Sequence, residues 1–253
     1  MQEWLKLAIL FLIIVFSQTV ETTTGFGSTV IALSLGIALF PLKKLVVLLV
    51  IIALGQSSWL VARGWKDIQW RILLGKIFPF TGLGLPLGMF FFKHFGGEEL
   101  KIFLGIFIIM VSALELYRLL GKKKQIKPLS TIKGILVLFA GGFVHGMFAT
   151  GGPMVVYFAS RKIQQKAEFR PTISMLWLSL NIILMSSFIL SHRVGSWHLK
   201  SAGILFFALL LGIILGEIIH KKISEYAFKV AVQFLLFLTG IFILLNVIMN
   251  YYR

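Results

Sequence analysis

The sequence predicts an all-α integral membrane protein built from two related halves of about four hydrophobic segments each. Three observations carry that prediction. Of 253 residues, 58% are hydrophobic and 13% charged, with a mean hydropathy of +0.95, whereas soluble chains carry roughly 25% charged residues. Apolar runs at Leu42–Ala62, Ile72–Phe92, Ile102–Leu120, Leu199–Ile219 and Ala227–Asn250 approach or exceed the ~20 residues that cross a bilayer core. A short polar interruption also occurs twice, as Thr22-Thr23-Thr24-Gly25-Phe26-Gly27-Ser28 and as Phe148-Ala149-Thr150-Gly151-Gly152-Pro153, each with apolar sequence on both sides.

In chain order, Leu5–Phe16 opens the first half. It reads as a first hydrophobic segment and not a removable leader, since Lys6 is its only early base and no small-residue cleavage site precedes Gln18. The first interruption follows, then Val30–Phe40, then three apolar runs divided by short basic turns. Gly121-Lys122-Lys123-Lys124-Gln125-Ile126-Lys127-Pro128 is the most polar stretch and reads as a linker. The pattern then returns: Ile132–Val144, the second interruption, a basic loop with Arg161, Lys162, Lys166 and Arg170, and three further runs. Thr24-Gly25 matches Thr150-Gly151 at a separation of 126, and Gly88 matches Gly216 at 128. That near-constant offset argues for an internal duplication. The organisation expected is a first repeat over 1–120, a basic linker over 121–131 and a second repeat over 132–253.

The formal charge of +16 lies in short stretches between apolar runs. This is the pattern of topogenic charge on loops, not of a nucleic-acid face. If each broken segment crosses once, the bases divide almost evenly between the two sides. If each dips in and returns, the halves are inverted repeats. One side then holds Arg63, Lys66, Lys122, Lys123, Lys124, Arg161, Lys162, Arg170, Lys221 and Lys222. The positive-inside rule prefers the second arrangement, with both termini outside. Cysteine is absent, which removes disulfides and thiolate chemistry, and no metal or other cofactor is expected.

Inside a bilayer, an interrupted helix survives only where protein or a watered cavity satisfies the freed backbone groups. Pro153 is suited to the start of a helix, Thr150 to capping it, and Gly151 and Gly152 to close backbone approach. Thr24, Gly25, Phe26, Gly27 and Ser28 offer the same parts in the first copy. A helix start presents unpaired N–H donors and about half a positive charge, a seat for a carboxylate, sulfonate, sulfite or phosphate oxygen. The expectation is therefore two broken helices that bind one small anion at the midplane. The competing reading is that small residues at the breaks serve only close helix packing.

Glu21 and His145 sit beside the breaks, and ionisable groups within a membrane point to function. Glu21 is expected to take up a proton when the anion binds; alternatively, Glu21 and His145 form a buried pair that locks the breaks. Gln56 and Asn181, near-equivalent within their halves, can donate to ligand oxygens or bridge helices. Arg170 is placed at the cytoplasmic mouth.

Several of these residues resemble the TauE/SafE family of sulfite and organosulfonate exporters. The likeness rests on Thr24-Gly25-Phe26-Gly27 in the first half. In the second it rests on Gly146-Met147-Phe148-Ala149-Thr150-Gly151-Gly152-Pro153, Tyr157 and Phe169-Arg170-Pro171-Thr172, with Gly88 and Gly216 extending it along the chain. The first half departs from the commoner pattern, with Gly27-Ser28-Thr29 in place of a glycine run followed by proline. The resemblance implies a duplicated eight-segment fold in the plasma membrane that moves small sulfur-containing or carboxylate anions. The partners it implies are that anion and the lipid bilayer, with no nucleic acid; a homo-oligomer is compatible with it. A passive anion channel, an intramembrane enzyme and a structural membrane subunit remain the alternatives. No HExxH or GxSxG motif supports the enzyme.

Overall fold

The computed structural model describes residues 3–24, 27–121, 130–163, 165–220 and 225–251. They form α1 (Glu3–Thr24), α2 (Ser28–Gly36), α3 (Leu42–Gly64), α4 (Trp70–His94), α5 (Gly97–Leu120), α6 (Thr131–Phe148), α7 (Gly152–Ala159), α8 (Lys166–Leu190), α9 (Ser196–His220) and α10 (Glu225–Tyr251). A 3-10 turn at Trp65–Asp67 precedes α4, whose first part contains a π-helical turn at Leu73–Ile77. There is no strand among the described residues. All helices except α2 and α7, eight in number, are long and apolar enough to cross a membrane. With 9 and 8 residues, α2 and α7 rise roughly 12–14 Å, less than half of a bilayer core. Large apolar side chains such as Leu83, Leu136, Leu190 and Phe207 are exposed on the spans, where lipid, not water, is the natural neighbour. The chain is a multi-pass integral membrane protein.

Two compact units emerge, and each draws on both sequence halves. The first comprises Met1–Leu45, Phe95–Gln125 and Ala208–Arg253; the second comprises Val46–His94 and Ile126–Phe207. A duplication is a statement about sequence and need not match the segments that pack together.

Within the second unit, α4 and α6 pack most extensively, and glycine is the reason they can. A side chain at Gly84 would collide with the backbone of Phe139 and Phe143, one at Gly88 with Phe143, one at Gly142 with Thr81, and one at Gly146 with Leu85 and Met89. In lipid no hydrophobic force draws apolar helices together, so this contact of backbone on backbone supplies the association. The first unit uses the same device. Gly212 and Gly216 of α9 press against Val15, Gln18, Thr19 and Thr22 of α1. The exposed carbonyls of that glycine face accept hydrogen bonds from Thr19 Oγ1 to Gly212 at 3.2 Å and Thr23 Oγ1 to Gly216 at 3.5 Å.

Both interruptions fall where a long helix gives way to a short one. α1 ends at Thr24 and α2 begins at Ser28; α6 ends at Phe148 and α7 begins at Gly152. These helix ends lie 124 residues apart, and the Thr-Gly pairs 126 apart. The reason is local: Thr24 is the last residue of its helix, whereas Thr150 lies in the connection between helices. Glu21 and His145 are likewise 124 residues apart. The α4–α6 contact has a direct test. Gly142→Ala should destabilise the protein by about 1–3 kcal/mol through overpacking against rigid backbone, read as a lowered thermal midpoint in detergent, while Gly82→Ala, with open space around it, should leave the midpoint unchanged.

Candidate functional site

The second break is built from α6, α7 and α8. α6 closes on Ala149, which takes a left-handed conformation (φ 55°, ψ 28°) and returns its N–H to the His145 carbonyl at 2.7 Å. Thr150 and Gly151 make the connection, and α7 starts at Gly152 with Pro153 as its second residue. Gly151, not Thr150, occupies the cap position, and no side chain caps the helix. The geometry leaves no alternative residue there: a side chain on Gly151 would strike the Gly141 carbonyl and the His145 Cβ. The Thr150 hydroxyl is instead left buried, 2% exposed, with no hydrogen-bond partner. A helix start leaves its first amides without intrahelical acceptors; Pro153 removes one donor, so Gly152 and Met154 present the remaining N–H groups of that first turn.

His145 sits on the last turn of α6 and is held by two residues of α8. Its Nε2 lies 3.1 Å from Asn181 Oδ1, and its ring stacks on Trp177 at a centroid distance of 5.2 Å and an interplanar angle of 12°. Trp177 and Asn181 are four residues apart, so one face of α8 supplies both the flat contact and the edge contact. With Oδ1 facing it, Nε2 is the donor, and a neutral ring then keeps Nδ1 as an acceptor. That Nδ1 is buried without a partner.

The first break is finished differently. Glu21, 8% exposed, accepts the backbone N–H of Ser28, the first residue of α2, through Oε2 at 2.8 Å. Gly27 makes this possible with φ 105° and ψ −4°, a left-handed conformation that suits glycine and strains other residues.

The remaining expected residues are distributed between the two units. Gln56 on α3 is buried in the second unit, as is Asn181. Arg170 is half-buried in the second turn of α8. That helix begins at Lys166, so Pro171 stands inside it and not at its start; there Pro171 packs on Gly64, while Thr172 Oγ1 accepts the Gln69 N–H at 2.9 Å. Gly25, Phe26 and the side chain of Thr24 lie outside the described residues. Sequence reasoning missed Gln18 and Thr22, both buried with unpartnered side-chain oxygens in the first unit. Their four-residue spacing on one helix face was the available signal.

A family model described as "Sulfite exporter TauE/SafE" matches residues 10–243. The chain belongs to this family. TauE/SafE proteins are membrane transporters, not enzymes, which removes the intramembrane-enzyme reading. Among curated proteins, the chain is similar to the "Probable inner membrane transporter protein TsaS" of Comamonas testosteroni. The two are 23% identical over 180 residues, which cover 70% of this chain and 72% of that protein. No solved structure shows a significant match to the chain.

The histidine clamp of this TauE/SafE member can be tested by Asn181→Leu. The change leaves Nε2–H buried without its acceptor and should cost about 1–3 kcal/mol, seen as a fall in thermal midpoint that Ser186→Ala, at an exposed site on the same helix, does not reproduce.

Proposed function

We propose that the protein is a secondary transporter, an exporter, of a small oxyanion: sulfite, an organosulfonate, or a related sulfur oxyanion or carboxylate. It would work in the plasma (inner) membrane, as the name of its TsaS relative suggests for that protein. The observation that carries the reading is the second break. There an uncapped helix start, the buried unpartnered Thr150 hydroxyl and the buried unpartnered His145 Nδ1 belong to one short stretch of chain.

The chemistry of these groups narrows the substrate. Amide N–H groups at a helix start and a hydroxyl donate to oxyanion oxygens, and the helix dipole adds roughly half a positive charge. An oxyanion that keeps one proton, such as hydrogensulfite, also meets an acceptor in Nδ1. Small backbone at Gly151 and Gly152 lets the ligand come close. In this reading Thr150, Gly151, Gly152 and Pro153 hold the anion. Thr24, Gly25, Phe26, Gly27 and Ser28 of the first break, with Gln56 and Asn181, belong to the same substrate path, and Arg170 draws anions toward its cytoplasmic end. The two breaks serving one transported anion is the arrangement of an internally duplicated transporter. In this reading Glu21 takes up a proton when the anion binds.

Uptake of sulfite into proteoliposomes should saturate with concentration, as a carrier requires; a linear rise would favour a channel. Thr150→Val should lower the uptake rate at subsaturating sulfite about tenfold or more, since a lost hydrogen bond to a charged ligand is worth about 1.5–3 kcal/mol. An unchanged rate would remove the second break as the site. If proton transfer runs through Glu21, Glu21→Gln should retain folding and lose the dependence of sulfite transport on the pH gradient. A fully active, still gradient-driven variant would end that role.

A further inference from the structure

The two breaks have helix boundaries at one spacing, and one difference between them bears on anions. In both, a long helix ends and a short helix begins four residues later, the two ends and the two starts each lying 124 residues apart. At the first, the carboxylate of Glu21 lies against the start of α2 and accepts from Ser28 N–H at 2.8 Å. At the second, the corresponding residue is His145. It is turned to Asn181 and Trp177, and among the described residues no side chain caps α7. One helix start therefore carries an anion that belongs to the chain, and the other does not.

The carboxylate is well placed to stay. It is buried, and Gly27 in its left-handed conformation folds residue 28 back toward residue 21. It also sits at the end of the helix where negative charge is most favoured. Being tethered, it competes as an intramolecular ligand, with an effective concentration in the millimolar range or above. A free anion present at lower concentration does not displace it.

We propose that Glu21 is a built-in carboxylate ligand that fills the α2 helix start in place of substrate, so that the protein binds one anion, at the second break. The inference rests on the reading of the second break given above. Glu21 thereby sets the number of anions bound: removing its side chain turns the first helix start into a second anion site. A carboxylate that served only to hold the helix would, on removal, weaken the fold and create no such site.

The test is calorimetric titration of the full chain in nanodiscs with sodium sulfite. Wild type is expected to bind one equivalent, Glu21→Ala two, Thr150→Val none within a tenfold range of the wild-type affinity, and the double variant one. If Glu21→Ala still binds one equivalent while Thr150→Val loses it, the inference is overturned and the second-break site stands. If Thr150→Val keeps its one equivalent at full affinity, the site reading itself fails. Amide resonances of the wild type decide the matter without relying on folding of Glu21→Ala. Sulfite should shift the Gly152 amide and leave Ser28 in place. A Ser28 amide that moves together with Gly152 overturns the proposal.

Discussion

Every feature of this protein that bears on transport follows from one constraint: a helix interrupted inside a membrane must find partners for the backbone groups it releases. Water cannot serve in the hydrocarbon core, and each unsatisfied group there costs several kcal/mol. The chain meets this demand twice, by unlike means. The start of α2 takes the carboxylate of Glu21. The start of α7 is given a backbone with no side-chain cap, a proline that deletes one of the donors, and a buried threonine hydroxyl beside it. The first solution is complete within the chain, and the second is suited to an outside partner.

Holding such breaks in place needs rigid long helices at their backs, and rigidity here comes from small residues. α4 meets α6 through Gly84, Gly88, Gly142 and Gly146, and α9 meets α1 through Gly212 and Gly216. In each compact unit the long helix that leads into a break is gripped by a glycine face. Threonine adds hydrogen bonds where backbone carbonyls come within reach, as at Thr19 and Thr23. Such bonds average well under 1 kcal/mol in membranes. The close backbone contact therefore does most of the fixing, which is why a single methyl at Gly142 is expected to matter more than the loss of one hydroxyl.

Much of this was legible in the sequence. Hydropathy alone marks the long spans, and the Thr-Gly interruptions mark the places where α1 and α6 stop. The helix ends lie 124 residues apart where the Thr-Gly pairs lie 126 apart, because Thr24 and Thr150 stand on different sides of a helix boundary. Trp177 and Asn181 could be placed on one helix face by their spacing, but not against His145, because that contact joins helices 36 positions apart. The capping of Ser28 by Glu21 was hidden for another reason. The carboxylate lies seven residues upstream of the helix start it meets, and Gly27 between them is left-handed, which sequence spacing does not announce. Which segments share a compact unit was also beyond reach, since glycine faces reveal that a helix packs closely but not on what.

The difference between the breaks bears on how a carrier can let go of its cargo. A seat that grips too well conducts slowly, and passage demands binding strong enough to admit the ion and weak enough to release it. Neutral donors at the second break, a hydroxyl and amides with about half a positive charge behind them, meet that demand better than a buried cation would. The chain's own carboxylate at the α2 start leaves the second break for an outside anion. Both short helices follow a break, and in the proposed reading only the second takes up and gives up an anion. On this argument Glu21 need not touch the substrate to govern transport; its place at the α2 start determines how many anions the path can hold.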